Sequence, residues 1–254
     1  MCARLDQTTP AARLLRTYPR SRPPLSAAHR ASYVEHYRAN RSGEGISRIV
    51  VPLEAWMHRQ VVRRPAETIL EIGAGNLNHV PYHRGVKAYD AVEPFRELWE
   101  DSPHRSSVRT IFGDIAEIPE QASYDLVLSI AVLEHLTDLP FLLARSALLL
   151  REGGCLCAGF PSEGGFLWGL AWRSTTGIAY RLKRGLDYGA IMRHEHVNSA
   201  REILLLLSYF FAEVEVARFP TPWHFLSFYT VASAAAPRLD RCREWGGRPP
   251  AVAP

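Results

Sequence analysis

No window of this sequence holds the roughly 18 consecutive apolar residues that a membrane-crossing helix needs, so no spanning segment is expected. Cysteine is scarce, with four among 254 residues. None sits in the repeated CxxC spacing of a zinc site, and no metal is expected. Cys155 and Cys157 lie two apart in an apolar run, which puts both on one strand face pointing into a core. Cys2 and Cys242 stand far away in the chain. Reduced, buried thiols suit a cytoplasmic protein. Charge of one sign is also in short supply. The formal net charge is +4, mostly from arginine. Such a balance permits an anionic partner but falls far short of a dedicated nucleic-acid binder. The opening segment mixes Arg13, Arg16, Arg20 and Arg22 with prolines and lacks the apolar stretch of a secretory signal. No internal repeat is visible.

An apolar share of 47% with 22% charged residues is ordinary for a soluble globular chain. The length allows one large α/β domain with insertions, or two small domains. Residues 1–27, rich in Arg, Pro, Ser and Ala, read as a loose lead-in. Helical material follows to about Val62, with Tyr33 and Tyr37 at i and i+4, so that residues 1–62 form a lead-in and helical cap. From Thr68 the pattern turns to strands alternating with helices: TILEI, AYDAVE, VRTIFGD, YDLVLSI and CLCAGFP. A helix from about Leu139 to Leu150, ended by Gly153 and Gly154, separates the last two. Strands interleaved with helices imply parallel crossover units. After Pro161 the rhythm breaks, making 162–198 an insertion. A capping box, Ser199-x-x-Glu202, then opens another helix. AEVEVARF and FLSFYTVAS close the domain at about residue 237. Their connection is too short for a parallel crossover, so they must be antiparallel. Residues 238–254 read as a flexible tail.

Three positions at strand ends carry chemistry. Glu71-Ile72-Gly73-Ala74-Gly75 closes one strand and opens a turn, where glycines let a backbone approach a ligand. Alone, this also fits a turn with no ligand. Glu93, followed by Pro94, ends the next strand 22 positions later, where a carboxylate can accept from both hydroxyls of a ribose. Gly113-Asp114-Ile115 ends the third, where an Asp and the next backbone N–H can read an adenine. Tyr124-Asp125-Leu126-Val127-Leu128-Ser129 follows in order.

This series resembles the class I S-adenosylmethionine-dependent methyltransferases, especially the small-molecule enzymes of the methyltransferase 11 type. The likeness runs from about Ile69 to Pro161 and more weakly to Val231. It implies a doubly wound, seven-stranded Rossmann-like sheet whose last strand is antiparallel, with S-adenosylmethionine as cofactor. It also implies that Glu71, Gly73, Ala74 and Gly75 line the methionine part, Glu93 and Pro94 the ribose, Asp114 and Ile115 the adenine, and Ser129 the methionyl group. Related enzymes place a tyrosine of the cap helix on the cofactor carboxylate, here Tyr33 or Tyr37. One departure is Leu77, where relatives usually carry a third glycine; it is expected close to the methionine tail. A nicotinamide-binding dehydrogenase would need Gly or Ala at Asn78. The [D/N/S]-P-P-[Y/F] motif of the nucleic-acid amino methylases is replaced by Ser129-Ile130-Ala131-Val132, so no nucleic-acid partner is expected.

The substrate side falls to the cap and the insertion. The cap offers Tyr33, His36, Tyr37, Asn40 and Arg41. The insertion offers an aromatic set (Phe166, Trp168, Trp172, Tyr180, Tyr188) among Arg173, Arg181, Lys183, Arg184 and Arg193, suited to a flat or phosphate-bearing small molecule. The stretch GFLWGLAWRS also resembles an interfacial anchor, which would allow peripheral membrane contact and a lipid-linked substrate. Arg193-His194-Glu195-His196 supplies two candidate general bases, His194 and His196, and His135 after the fourth strand is a third. The expectation is a small-molecule methyltransferase, with oxygen favoured over nitrogen or carbon as acceptor, working as monomer or homodimer. A non-catalytic scaffold on the same fold is the alternative.

Overall fold

Strands that are apolar along nearly their whole length can persist only with both faces covered. In the computed structural model, which describes residues 9–33, 50–62, 65–83 and 85–247, this holds for Thr68–Ile72 (β1), Ala88–Val92 (β2) and Tyr124–Ile130 (β4), each buried through all but one residue. Thr110–Phe112 (β3), Leu150–Pro161 (β5), Phe211–Pro220 (β6) and Ser227–Pro237 (β7) complete a seven-stranded sheet. Its order is β3-β2-β1-β4-β5-β7-β6. The pairs from β3 to β5 are parallel, and β7 runs antiparallel to both β5 and β6. The expected α/β fold with an antiparallel end is present. A strand order that reverses direction at β1 and β4 opens a crevice beyond their carboxyl ends, which is where ligands bind in such sheets.

Side-chain alternation sends odd and even residues into two separate cores. Leu70, Ile72, Val127, Leu156 and Ala158 face a layer made of Pro10–Leu15 (α1), Leu139–Leu148 (α5) and Ala200–Phe210 (α9). Ile69, Leu126, Leu128, Cys155 and Cys157 face Val50–Val61 (α3), which contributes Met57 and Val61. The cysteines of β5 lie side by side as buried thiols with sulfurs 4.0 Å apart. The capping box forms as read, with the Ser199 hydroxyl and the Glu202 carboxylate exchanging bonds across the first turn of α9.

Four features differ from the sequence reading. The lead-in is not loose, because Thr9 caps α1, Pro10 takes its first turn and Leu15 is buried in the core. Arg20 then ties the chain to Glu202 at 2.5 Å. The tail contains Leu239–Gly246 (α10), which lies on α5 with Cys242 and Trp245 buried. Helix α5 ends at Leu148, not at the Gly153-Gly154 pair; both glycines lie within β5. The insertion is helical rather than irregular: Phe166–Trp172 (α6), a π turn Arg173–Gly177, Ile178–Arg184 (α7) and Tyr188–Glu195 (α8). A helical stretch over 27–33 (α2) docks on it, with the Tyr180 hydroxyl donating to Ser32 at 2.7 Å and Leu25 packed with Tyr180 and Ile191.

Candidate active site

Register brings the chemistry-bearing strand ends level. Ile72 pairs with Val92 on one side and Ser129 on the other, and Val92 pairs with Phe112. The residues that follow therefore stand in one row at the carboxyl edge. The row is held by the Gly73 N–H donating to Val92 O at 2.8 Å and the Glu93 N–H donating to Phe112 O at 2.9 Å. Gly73 has φ +70°, and a Cβ there would lie 2.4 Å from a Val132 methyl, so only glycine fits. Gly75, at φ +51°, would have its Cβ in open space. That opening is a cleft of about 150 Å³, lined by Glu71, Gly73, Ala74, Gly75, Asn76 and Asn78 together with Met57, His58, Ile130 and Ala131.

Two carboxylates sit under this loop. Glu93 is buried, with Oε2 accepting from the Gly75 N–H at 2.9 Å and Oε1 from the Phe95 N–H at 3.1 Å. Each oxygen keeps a lone pair free for a further donor. Glu71 is more deeply enclosed and accepts from the Tyr89 hydroxyl at 2.7 Å. Burial pushes its pKa up to about 8; the Tyr89 bond works against that shift and the neighbouring Glu93 adds to it. Glu71 is thus a proton-bearing acid when the cleft holds no cation, and an arriving positive charge would favour its ionised form.

The remaining predicted cofactor residues are less enclosed or turned to other work. Asp114 is exposed and caps a short 3-10 turn, accepting from the Ala116 N–H at 2.7 Å, while Ile115 is buried in the α5-side core. Pro94 is exposed beside Glu93. Ser129 is buried at the carboxyl end of β4, and its Oγ has no hydrogen-bond partner among the described residues. Leu77 does not line the cleft. Its φ of +64° turns the side chain into the α3-side core, where it is fully buried with Met57 and Val80. The left-handed backbone explains why glycine is the easy choice at that position. Tyr37, with His36, Asn40 and Arg41, lies outside the described residues.

A second polar cluster lies past β4. The His135 ring nitrogen Nδ1 is 3.3 Å from Glu195 Oε2 and 3.1 Å from the Glu195 carbonyl. Burial opposes charge on His135, yet Glu195 and the neighbouring Glu134 outweigh it and raise its pKa. Burial alone would raise Glu195; His135, the Tyr33 hydroxyl and Arg22 instead bring it down to about 2. Tyr33 donates to this Glu195 carboxylate and does not line the cleft. His196 bonds Glu163, and its ring meets that of His135 edge-on at 4.8 Å. His194 turns away, with Nδ1 2.7 Å from the Pro23 carbonyl and its ring edge-on to Tyr33. Two of the three candidate bases are therefore brought together, each beside a carboxylate, and the third is not. Among the described residues, no group of three or more His, Cys, Asp or Glu is arranged to hold a metal.

S-adenosylmethionine fits what is present. Its sulfonium and ammonium charges suit the buried Glu71, its ribose hydroxyls the free lone pairs of Glu93, and its bulk the open side of Gly75. The unpartnered Ser129 hydroxyl is the kind of buried group that a ligand satisfies. Sequence reasoning missed the contributions of α3. His58 looked like one polar position of an amphipathic helix, yet it is buried against His79 with Nδ1 atoms 2.7 Å apart. Burial, with Arg59 adding, lowers its pKa to about 4, so it meets the cleft as a neutral ring. Glu163 was also missed, a single acid before two glycines with nothing in the spacing to mark it.

Comparison with known proteins agrees with this geometry. Residues 70–158 match the family described as a methyltransferase domain, the methyltransferase 11 family. No curated protein matches the sequence. Many solved structures share the fold. A methyltransferase from Thermotoga maritima, described as a possible histamine N-methyltransferase, is 21% identical with a TM-score of 0.50, over 74% of this chain and 96% of that one. The N-methyltransferase NodS of Bradyrhizobium japonicum, bound to S-adenosyl-L-homocysteine, is 17% identical with a TM-score of 0.51, over 72% and 87%. An O-methyltransferase family protein of Burkholderia thailandensis is 14% identical with a TM-score of 0.55, over 85% and 65%.

Proposed function

We propose that this chain, which carries a methyltransferase domain match over residues 70–158 on the corresponding fold, is an S-adenosylmethionine-dependent methyltransferase that methylates a hydroxyl group of a small molecule, with His135 as general base. The cofactor supplies an electrophilic sulfonium methyl; the protein's part is to hold the acceptor in line with it and to remove the acceptor's proton. Glu71 would neutralise cofactor charge, Glu93 would hold the ribose, and Asp114 with Ile115 would meet the adenine. The observation that carries the acceptor reading is the pair of imidazoles past β4, each beside a carboxylate. An amine that is already neutral needs no base, whereas a hydroxyl does. Glu195 holds His135 by its Nδ1 side and strengthens it as a base, which leaves Nε2 to take the proton. His196 and Glu163 stand behind His135 and fix its ring. Tyr33 holds the Glu195 carboxylate from its other side.

The test is release of S-adenosylhomocysteine against a panel of hydroxyl-bearing small molecules and their matched amines. The rate with hydroxyl acceptors should rise with pH through the titration of His135, above the ordinary histidine value of 6.5. His135→Asn should lower kcat about 100-fold or more and leave S-adenosylhomocysteine binding intact by calorimetry. An unchanged rate and pH profile in His135→Asn would overturn the assignment.

A further inference from the structure

The geometry points to a docking face for an anionic lipid surface, built from residues 166–184 and the connection between β6 and β7. Helix α6, the π turn and α7 run on without a break, about 28 Å at roughly 1.5 Å per residue. Phe166, Leu170, Ile178 and Leu182 fall on this course at multiples of four, and all four are exposed, Leu182 by 83%. A spacing of four drifts around an α-helix; the wider π turn between Leu170 and Ile178 offsets that drift and keeps the residues in one stripe. The stripe does not end with the helix. The Phe225 ring stacks on Phe166 at 5.2 Å, and Trp223 beside it is 66% exposed.

Exposed apolar side chains in a continuous patch mark an interaction surface. The charges around this patch say which kind. Between Gly164 and Leu186 there is no acidic residue, while Arg173, Arg181, Lys183 and Arg184 are all basic. The stretch from Pro220 to Ser227 also lacks acids, and Arg218 precedes it. The nearest carboxylates are engaged, Glu163 with His196 and Asp187 with Arg193. Glu213 and Glu215 lie toward the far end of β6. A helix with an apolar stripe, basic flanks and an aromatic neighbour lies in the plane of a membrane interface and gains from anionic headgroups. Among the described residues no helix is long and apolar enough to cross a bilayer, so the contact is lateral. Glu163 and the Glu195–His196 pair bracket the docking segment in sequence, which would bring the acceptor cluster to the bilayer surface.

The experiment is co-sedimentation with vesicles of phosphatidylcholine containing phosphatidylglycerol, beside vesicles of phosphatidylcholine alone. The whole protein should bind the anionic vesicles, and high salt should weaken that binding. The pair Leu182→Glu and Phe225→Glu, and separately the pair Arg181→Glu and Lys183→Glu, should each lower the partition coefficient about tenfold. Their melting temperatures and S-adenosylhomocysteine affinity should stay unchanged, which separates this inference from the acceptor reading. Equal affinity for both vesicle types, no binding to either, or variants that bind as well as the native chain would overturn it. So would a concentration-dependent dimer in sedimentation velocity that the Leu182→Glu, Phe225→Glu pair dissociates, because a second copy would then be the occupant.

Discussion

Leu77 shows how one residue can satisfy the packing of a fold while straining its backbone. Its side chain is wholly buried, so Leu77→Ala should cost about 2–5 kcal/mol in chemical denaturation. The left-handed φ costs a non-glycine residue roughly 1–2 kcal/mol. Leu77→Gly should therefore be no less stable than Leu77→Ala, the reverse of the usual order at a buried site. Glu71 gives a second test, read against pH. Its folded pKa of about 8 stands above its ordinary value of 4.5, so the native state holds the extra proton between these limits. This contribution to stability is fully present below about pH 4.5 and is lost as pH rises through 8. Thermal melts of Glu71→Gln should lack that slope. Cofactor affinity should run the other way in the native protein, rising with pH toward 8 as the carboxylate that meets the cation becomes available.

At the scale of elements, α10 decides whether the chain after β7 is part of the fold. Truncation after Arg238 should lower the melting temperature, and Trp245→Ala should cost about 3 kcal/mol, since it uncovers α5. A free tail would show neither effect. The helix was hard to read because Leu239, Cys242 and Trp245 are its only large apolar residues, spaced by three among arginines and acids. The strands were legible for the opposite reason: burial on both faces demands the unbroken apolar runs of β1 and β4. The glycines and acids at their ends were legible because each follows such a run. The helices of 166–195 were not, since α6 and α7 are short, meet at a π turn and turn Phe166, Leu170, Ile178 and Leu182 toward solvent. Pairing of His135 with Glu195 across 60 positions leaves no trace in local spacing.

At the scale of the molecule, the N-terminal segment closes the acceptor side by gripping residues 194–202 and the His135 turn. Arg20 holds Glu202, Arg22 reaches the carbonyls of His135 and His194, and Tyr33 holds Glu195. Glu195→Ala should speed hydrogen exchange in 27–33 and α8 and leave β1 and β4 protected. Such long-range contacts also set an order in time. Arg20 and Glu202 are 182 positions apart. At about 5–20 residues per second, a growing chain waits roughly 10–40 s between making the first and making the second. Through that interval Leu15 and Tyr18 have no α9 to cover them. Helix α1 thus leaves the ribosome well before the helix that covers it, and is late to find its place.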